Sequence, residues 1–361
     1  MTATAPINPP PRANARWTMC SSSTGVEEDR STLFPAGRAE LHPSLLPPVG
    51  ELQMAHSFEH IPVLRDEVVS LFAPVPAGVL VDATVGGGGH SAALLAAHPQ
   101  LRVLGLDRDP VALAAARERL APFGDRVTLV HAPFSALDQV TSGPLSGVLF
   151  DLGVSSPQLD QADRGFSFRS EAPIDMRMDQ SAGRTAGQLV NELPEDALAA
   201  LFRQNGEGRL GGRIAHAVVA ARPLTSTVQL ADVVERAVPA AVRRKGHPAR
   251  RVFQALRIAV NDELGELAAA LPATLERLAV SGRCAVISYH SGEDRLTKQV
   301  FANAATGGCI CPPTLPCVCG AVVEHQLVYR GARKASAAEV AANRRAESAR
   351  LRVIERTAAP A

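Results

Sequence analysis

The chain has 361 residues, of which 46% are hydrophobic and 20% charged, and its formal net charge at pH 7 is only +1. This length allows a full α/β core with a smaller second domain, while the near-neutral charge favours no particular class of partner. The sequence has neither an apolar run of about 18 residues nor the basic start and apolar core of a secretory signal, so we expect a cytoplasmic protein.

Residues 1–56 form the first predicted unit. They are rich in Pro, Ser, Thr and Ala and show no sustained helical or strand period. Such a composition is typical of disorder, so we predict a disordered N-terminal extension. Organised sequence begins just after Met54, and translation from Met54 is an equally weighted alternative to a real tail.

Residues 57–162 alternate strand-like and helix-like segments. The predicted strands are Val79–Asp82, Arg102–Asp107, Arg126–Val130 and Gly147–Asp151, and the predicted helices are Ser91–Ala97 and Pro110–Leu120. Repeated alternation of this kind indicates a parallel sheet with helices on both faces. We predict the first part of an α/β domain here.

The alternation of strand and helix signals stops between residues 163 and 270, where strand signals almost vanish. The predicted helices there are Pro194–Gln204, Arg209–Ala221, Thr227–Ala237 and Pro248–Glu263. Strand patterns return at Gly282–Tyr289 and near Val322–Tyr329. This order predicts an all-helical domain inserted at 163–270 into an α/β sheet whose second part is residues 271–361.

A glycine-rich turn marks the candidate ligand site. The strand that ends at Asp82 is followed by four glycines, Gly86 to Gly89, and a helix that begins near His90. Such a turn brings backbone N–H groups to the carboxyl edge of the sheet, where open α/β folds bind ligands. Its spacing differs from the G-x-G-x-x-G of dinucleotide enzymes, and Asp107 at the next strand end is placed to accept ribose hydroxyls. Turn and carboxylate together favour a nucleoside ligand over a merely flexible loop.

Two further strand ends extend this site. Phe134 follows the third strand and either lies against a purine ring or packs in the core. Asp151 ends the fourth strand, and its alternative role is to cap a helix, which the following Ser-Ser-Pro turn makes less favoured.

Several long motifs resemble one known family. They are His60-Ile-Pro-Val-Leu64, Asp82-x-Thr-x-Gly-x-Gly-Gly-His90, Pro133-Phe-Ser-Ala-Leu137, Asp151-Leu-Gly-Val-Ser-Ser-Pro-Gln-Leu-Asp160, Arg164-Gly-Phe-Ser-Phe168, Asp175-Met-Arg-Met-Asp179 and His290-Ser-x-Glu-Asp-Arg295. From about residue 57 to 356, the chain resembles the ribosomal RNA small-subunit methyltransferase H (MraW) family. The resemblance implies a Rossmann-like methyltransferase sheet that binds S-adenosyl-L-methionine and methylates the N4 amine of a decoding-centre cytidine in 16S rRNA.

The resemblance also implies a set of cofactor contacts, of which the residues alone indicate neither His90 nor Gln158. The full set is Gly88, Gly89, His90, Asp107, Phe134, Asp151 and Gln158. Within the turn, Gly86 and Gly87 are expected to shape the backbone only. The chain departs from the family pattern at Tyr289, at Gly292 and in Asn343–Ser348, which affects expectations about the substrate side.

The helical insert carries the expected RNA contacts. Residues 203–257 contain eleven Arg or Lys and three acidic residues. The predicted substrate-binding residues are Arg243, Arg244, Lys245, Arg250, Arg251 and His290. A solvated helix face is the alternative for the basic stretch, and a structural role in a turn with Glu293 and Arg295 is the alternative for His290. Unpaired bases are the usual targets of RNA readers, so we expect the cytosine to be flipped out.

Of all the site residues, the catalytic group is the one that the sequence indicates least clearly. A cytosine amine is a poor nucleophile, so catalysis is expected from in-line positioning and from acceptors for its N–H groups, without a metal or covalent intermediate. Other amino-methylating enzymes place an Asp/Asn/Ser-Pro-Pro-aromatic turn at this point of the sheet. Ser155–Gln158 is similar only in part, and Ser156 is the candidate acceptor.

Four of the six cysteines form a C-x-C-x5-C-x-C pattern, at Cys309, Cys311, Cys317 and Cys319. This spacing matches a tetrahedral zinc site only loosely, because paired knuckles usually have C-x2-C. A reduced, proline-rich loop without metal is slightly favoured over zinc.

Other functions remain open from the residues alone. The chain could methylate another nucleic acid or a protein, or it could be a non-catalytic RNA-binding protein that retains a nucleoside pocket. The presence of both Asp107 and Asp151 argues against the non-catalytic alternative.

Overall fold

The computed structural model describes residues 61–155, 158–159, 161–244, 246–312 and 318–357. The predicted N-terminal extension lies outside these ranges, as do Ser156, Lys245 and Cys317. Within them, no helix has the length and apolar character needed to cross a membrane.

A seven-stranded sheet forms the centre of the fold, in the order β3-β2-β1-β4-β5-β7-β6. Its strands are β1 (Gly78–Asp82), β2 (Leu101–Asp107), β3 (Val127–His131), β4 (Leu145–Asp151), β5 (Leu278–Ser288), β6 (His325–Leu327) and β7 (Arg350–Arg356). β1 to β5 pair in parallel, whereas β7 runs antiparallel to both β5 and β6. The order reverses between β1 and β4, and this switch point is where open α/β sheets bind their ligands.

Helices cover both faces of the sheet and also form the insert. The α-helices of the described residues are α1 (Arg65–Leu71), α2 (Gly89–Ala97), α3 (Pro110–Leu120), α4 (Leu137–Val140), α5 (Ala186–Glu192), α6 (Glu195–Phe202), α7 (Gly211–Ala220), α8 (Thr227–Ala237), α9 (Ala240–Arg243), α10 (Ala249–Asn261), α11 (Glu263–Arg277), α12 (Ser291–Ala304) and α13 (Ala337–Ala342). One apolar core lies between the sheet and α1 to α3, and a second lies between the sheet and α4, α11 and α12. The predicted α/β fold class is confirmed.

Adjacent residues of each central strand serve opposite cores. In β4, Leu149 packs in the core shared with α1 to α3, while Val148 and Phe150 pack in the core shared with α11 and α12. Side chains of a strand alternate between faces, so a strand covered on both sides reads as a continuous apolar run. This is why β4 was predictable from sequence.

A third core holds the helical insert. It extends from Phe166 to Leu256 and is formed by α5 to α8 and α10 with the loop before them. Among its described residues, the only strand-type pairing is an isolated bridge between Pro173 and Ser226, and the remaining regular structure is helical. α11 packs on the sheet instead, so the boundary predicted at residue 270 falls inside a sheet-bound helix. We therefore propose that the insert ends at Asp262, where a left-handed residue separates α10 from α11.

Capping residues fix several helix starts. Asp109 caps α3 by accepting a hydrogen bond from Val111 N at 3.0 Å, and Pro110 occupies the first helical position. Thr185 and Gln188 form a reciprocal capping box at α5. These side chains satisfy N–H groups that have no partner inside the helix, which explains why α3 begins at the residue where the sequence pattern placed it.

Candidate functional site

The turn after β1 is anchored from below by a buried carboxylate. Asp82 accepts hydrogen bonds from Ser91 Oγ at 2.6 Å and from Thr84 N at 3.4 Å. Burial raises the pKa of Asp82, against the lowering effect of the Ser91 bond. The side chain therefore ties the turn to α2 and holds the glycines at the sheet edge.

The four glycines have different surroundings. Gly86 and Gly87 line a cleft, and a Cβ built on Gly87 would meet nothing within 4 Å. Gly89 also lines the cleft, but its Cβ position is only 2.6 Å from Pro62 Cγ. These positions leave the backbone of the turn open to a ligand.

Gly88 faces away from this opening. It is the N-cap of α2 with φ of 77°, and a Cβ there would lie 3.1 Å from Leu120 Cγ. Gly88 is therefore needed for its left-handed backbone and for close packing of α2 on α3. The cofactor contact at Gly88 stays a prediction, and the cleft lining contains Gly86 and Gly87, which were expected only to shape the turn.

Asp107 lies at the end of β2, directly beneath the turn. Its Oδ2 accepts a hydrogen bond from Gly86 N at 2.8 Å, and its Oδ1 accepts one from Asp109 N at 2.9 Å. Burial raises the pKa of Asp107 to about 6, although both N–H donors act in the opposite direction. Each carboxylate oxygen retains a second acceptor site, so Asp107 can receive hydroxyl donors from a ligand in the cleft.

Asp151 lies at the end of β4, on the other side of the switch point. Its N–H donates to Thr84 Oγ1 at 2.7 Å, and its Oδ1 accepts a hydrogen bond from the Tyr289 hydroxyl at 2.7 Å. Burial, reinforced by the Asp151 carboxylate, raises the pKa of Tyr289 well above its ordinary value, so the phenol remains a donor. The carboxylate is thereby fixed at the cleft wall while its side chain stays 25% exposed.

His90 is a buried cleft residue with unused hydrogen-bonding capacity. Its Nε2 lies 3.5 Å from Asp151 Oδ2, and neither ring nitrogen has a hydrogen-bond partner among the described residues. Ser155 Oγ is also buried without a hydrogen-bond partner among the described residues. Buried polar groups are nearly always paired, so both atoms indicate room for a polar ligand.

Gln158 lines the cleft, but both polar ends of its side chain form hydrogen bonds within the protein. Its Nε2 donates to Asp109 Oδ2 at 2.8 Å, and its Oε1 accepts a hydrogen bond from Ser155 N at 3.0 Å. Arg164 donates to the same Asp109 oxygen at 3.0 Å and to Met178 O at 2.8 Å. Gln158 thus belongs to a buried network that fixes the loop after β4 to the start of α3.

Phe134 packs against the core and also borders the cleft. Its ring packs edge-to-face on Phe150, with centroids 5.6 Å apart and planes at 88°. It is also part of the cleft lining. The contact with the core fixes the ring where it can cover a flat ligand group.

The mouth of the cleft combines aromatic and basic side chains. The Phe168 ring stacks on His247 at 4.5 Å and packs edge-to-face on Phe253 at 5.6 Å. Phe168, Phe253 and Arg250 all line the cleft. Exposed arginines of the lining come from four separate segments of the chain, namely Arg119, Arg169, Arg250, Arg344 and Arg345. Such a rim suits a polyanion whose bases can stack.

The predicted basic stretch is only partly at this mouth. Of its described members, Arg250 lines the cleft, while Arg243, Arg244 and Arg251 are exposed and lie outside the lining formed by the described residues. Arg251 interacts electrostatically with Glu207, whose pKa is raised by burial. Local sequence density of arginine therefore locates the basic surface but does not identify which side chains reach the cleft.

His290 lines the cleft and also caps α12. Its Nδ1 accepts hydrogen bonds from Gly292 N at 3.2 Å and Glu293 N at 3.4 Å, so in the neutral ring the proton sits on Nε2. Glu293 Oε2 accepts in return from His290 N at 3.2 Å, and it also accepts from Tyr289 N at 2.8 Å. The turn network expected of His290 is thus formed with Glu293.

Sequence reasoning missed three kinds of cleft residue. It gave no role to Tyr289, to Phe168 or to the arginines on α3 and in residues 344–345. Phe168 stood inside a recognised motif, and that was its only signal. Tyr289 precedes His290 at the end of β5, and only the pairing of β4 with β5 shows that it reaches Asp151.

The cleft has a volume of about 1480 Å³. Ligand pockets for one small molecule are usually about 300–1,000 Å³, so this cleft can hold a cofactor and part of a substrate. Asp107 offers acceptors for ribose hydroxyls, the turn offers open backbone, and His90 and Ser155 offer unpaired polar atoms. These residues fit S-adenosylmethionine, which carries hydroxyl, amino and carboxylate groups as well as a flat purine.

Comparisons with known proteins agree with this geometry. The model of the MraW methylase family matches residues 57–357. A protein of Thermobifida fusca named ribosomal RNA small subunit methyltransferase H is 52% identical over 313 residues, covering 83% of this chain and 94% of its own length. A protein of the same name from Heliobacterium modesticaldum is 51% identical over 310 residues, covering 83% of this chain and 99% of its own.

A solved putative methyltransferase from Streptococcus mutans, in complex with SAH, gives a more distant likeness. It covers 82% of this chain and 99% of its own, at 12% identity and a TM-score of 0.40. The family match and the two relatives decide the assignment: the chain belongs to the MraW methylase family, and it is an S-adenosylmethionine-dependent methyltransferase.

Proposed function

We propose that the chain methylates 16S rRNA, at the N4 exocyclic amine of a cytidine in the decoding centre, where the ribosomal P site lies. The rRNA substrate class follows from relatives that are about half identical and are named for the small subunit. The base and atom follow from the resemblance of the sequence motifs. This substrate would place the protein in the cytoplasm, acting on the small subunit or on its RNA.

One observation carries the proposal. A single cleft joins the ribose acceptor Asp107, the strand-end carboxylate Asp151 and an arginine rim with the stacked Phe168. Asp107 and Asp151 lie on opposite sides of the switch point, at the ends of β2 and β4. A cofactor held at Asp107 and a base entering past Phe168 would therefore meet beside Asp151.

The Asp151 carboxylate is suited to activate an amine. When bound, S-adenosylmethionine supplies a methyl group from its sulfonium and leaves as the neutral thioether S-adenosylhomocysteine. The lone pair of a cytosine amine is delocalised into the ring, so an acceptor on its N–H increases electron density at nitrogen. Asp151 can accept one N–H during attack and take that proton as the new N–C bond forms.

Tyr289 and Thr84 position this acceptor. The Tyr289 hydroxyl occupies Oδ1, and the Thr84 hydroxyl accepts the N–H of Asp151. Oδ2 remains available on the cleft side, near His90. Fixing the acceptor before the base arrives avoids reorganisation during the reaction, which is the main source of rate enhancement without covalent catalysis. Ser156 remains a second candidate acceptor and lies outside the described residues.

The rim is suited to hold a flipped nucleotide. Phe168, backed by His247 and Phe253, offers a ring for stacking, and Arg250 lies beside it on the cleft wall. Stacking on an aromatic ring stabilises an unpaired base by about 1–3 kcal/mol, which offsets the cost of unstacking it. We propose that Arg243 and Arg244 contact phosphates further along the strand.

The substrate class is tested by methyl transfer from labelled S-adenosylmethionine. Purified enzyme is incubated separately with small ribosomal subunits, naked 16S rRNA, DNA and a ribosomal protein mixture. The proposal predicts incorporation into the RNA of the subunits, of naked rRNA, or of both. Label in DNA or protein alone would contradict it, and no transfer to any of the four would favour a binding protein. The Asp151→Ala variant, checked for retained cofactor binding, serves as the inactive control.

A further inference from the structure

Three cysteines come together in the segment between α12 and β6. The thiol sulfurs of Cys309, Cys311 and Cys319 all lie within 4.8 Å of one another. Cys319 Sγ lies 3.6 Å from Cys309 Sγ, and Val318 N donates to Cys311 Sγ at 3.4 Å. This cluster lies in the connection that leads to β6, the edge strand of the sheet, and none of its three cysteines is in the described lining of the cleft.

The spacing of the sulfurs fits a tetrahedral thiolate site. Zinc binds cysteine sulfur at about 2.3 Å, which places two sulfurs of a tetrahedron about 3.8 Å apart. The Cys309 to Cys319 distance of 3.6 Å is close to that edge. It is far longer than the S–S bond of a disulfide, about 2.05 Å. Three donors from both ends of one loop thus converge as metal ligands do.

Apolar packing does not account for this convergence. Ile310 and Val318, which alternate with the cysteines, are each 89% exposed. The thiols face one another while the aliphatic side chains point to solvent, the reverse of an ordinary hydrophobic turn. Short segments without an apolar core are commonly fixed by a metal or a disulfide.

The base of the loop is closed by backbone contact. Gly307 has φ of +59°, and a Cβ there would collide with the carbonyl oxygen of Val322. Gly308 N also donates to Asn303 O at 2.9 Å, at the end of α12. The two ends of the loop therefore lie side by side, which brings the cysteines near both ends to one place.

We propose that Cys309, Cys311 and Cys319 bind a structural zinc ion that fixes the connection from α12 to the edge strand β6. This reverses the expectation of a metal-free loop. The ion would lie outside the described cleft lining, and its loss would loosen this segment while the cleft residues stay in place. Zinc favours soft thiolate donors of this kind, and a tetrahedral site needs one further donor.

The first test is the metal content of the full-length protein, expressed in zinc-supplemented medium and purified without a metal-affinity tag. We expect about one zinc per chain, with a sulfur shell at about 2.3 Å by X-ray absorption. Titration with a thiol-specific mercurial should release the zinc. These measurements need no variant, so they decide the question even if substitutions impair folding.

Variants then locate the site. Cys309→Ala, Cys311→Ala and Cys319→Ala should each lower zinc content severalfold, whereas Cys284→Ala, at a buried thiol of β5, should keep it. Zinc-free wild-type protein would overturn the proposal, as would a triple alanine variant that retains its zinc. A disulfide between Cys309 and Cys319, found by peptide mapping of freshly purified protein without reductant, would overturn it too.

Discussion

The Tyr289 hydroxyl donates a hydrogen bond of 2.7 Å to Oδ1 of Asp151, the proposed proton acceptor. It fixes one carboxylate oxygen and leaves the other for the substrate. A hydrogen bond to a charged group contributes about 1.5–3 kcal/mol, so its loss should be measurable without loss of the fold. In the proposed mechanism, Tyr289 acts through Asp151 as a positioning residue.

Tyr289→Phe should lower kcat about tenfold and change the Kd of S-adenosylmethionine by less than about twofold. The ring fills the same space, so only the hydroxyl is lost. Tyr329→Phe is the matched control, because Tyr329 is the other tyrosine of the chain and packs against Arg333 instead. Unchanged kcat in Tyr289→Phe, or an equal loss in both variants, would remove Tyr289 from the mechanism.

Asp107 gives the cofactor site a pH dependence. Its pKa is raised to about 6, so in the ligand-free protein the ionised form is destabilised by burial. Ribose hydroxyls that donate to the carboxylate favour the ionised form and lower this pKa. Binding therefore releases protons near pH 6, and affinity rises with pH through that range before it levels off.

Isothermal titration of S-adenosylhomocysteine between about pH 5 and pH 8 checks this expectation, with proton release taken from buffers of different ionisation enthalpy. Asp107→Asn should bind more weakly and lose the dependence near pH 6. A wild-type affinity that stays constant down to pH 5 would show that Asp107 does not receive the ligand.

At the level of elements, a buried ion pair joins the sheet to the helical insert. Asp109 caps α3 and pairs with Arg164 at the start of the insert, and both side chains are at most 3% exposed. Arg164 also donates to the backbone of Arg177 and Met178. The pair therefore holds the loop after β4 and the first segment of the insert against α3.

Arg164→Leu should lower the free energy of unfolding by about 3–5 kcal/mol, because it leaves Asp109 as a buried charge with fewer partners. Arg184→Leu breaks an exposed pair with Glu192 and should cost less than about 1 kcal/mol. Urea denaturation of both variants provides the comparison. Similar losses in the two would contradict the buried network.

Two neighbouring arginines of α10 have different surroundings. Arg250 lines the cleft, whereas Arg251 lies near Glu207. Arg250→Ala should raise the KM for RNA about fivefold to tenfold, with a shallower salt dependence, and Arg251→Ala should change it by less than about twofold. Steady-state kinetics at two salt concentrations distinguish them. Equal effects would mean that the whole basic stretch binds RNA diffusely.

Across the whole molecule, sequence patterns predicted what depends on local chemistry. α3 begins and ends at the predicted residues because it is specified locally, by Asp109, Pro110 and the alanine-rich sequence that follows them. β4 was found because a strand buried on both faces is an apolar run. Fold class and the strand-end carboxylates follow from the same signals.

Long-range pairing was not predictable in this way. β7 was missed, although Leu351 and Val353 alternate with polar residues as in a half-exposed strand. Its antiparallel place between β5 and β6 depends on contacts with residues about 25 to 70 positions away. The orientation of Gly88 toward α3, and the reach of Tyr289 to Asp151, likewise depend on packing between distant elements.

Nucleoside analysis of the methylated RNA tests the central claim most directly. 16S rRNA from treated small subunits, digested to nucleosides and separated with standards by mass spectrometry, should contain N4-methylcytidine that is absent without enzyme. Its fragment in the decoding centre should carry the modification. Methylation found only at C5 of cytosine, at a ribose 2′-oxygen or on another base would contradict the assignment of Asp151 as acceptor for an exocyclic amine.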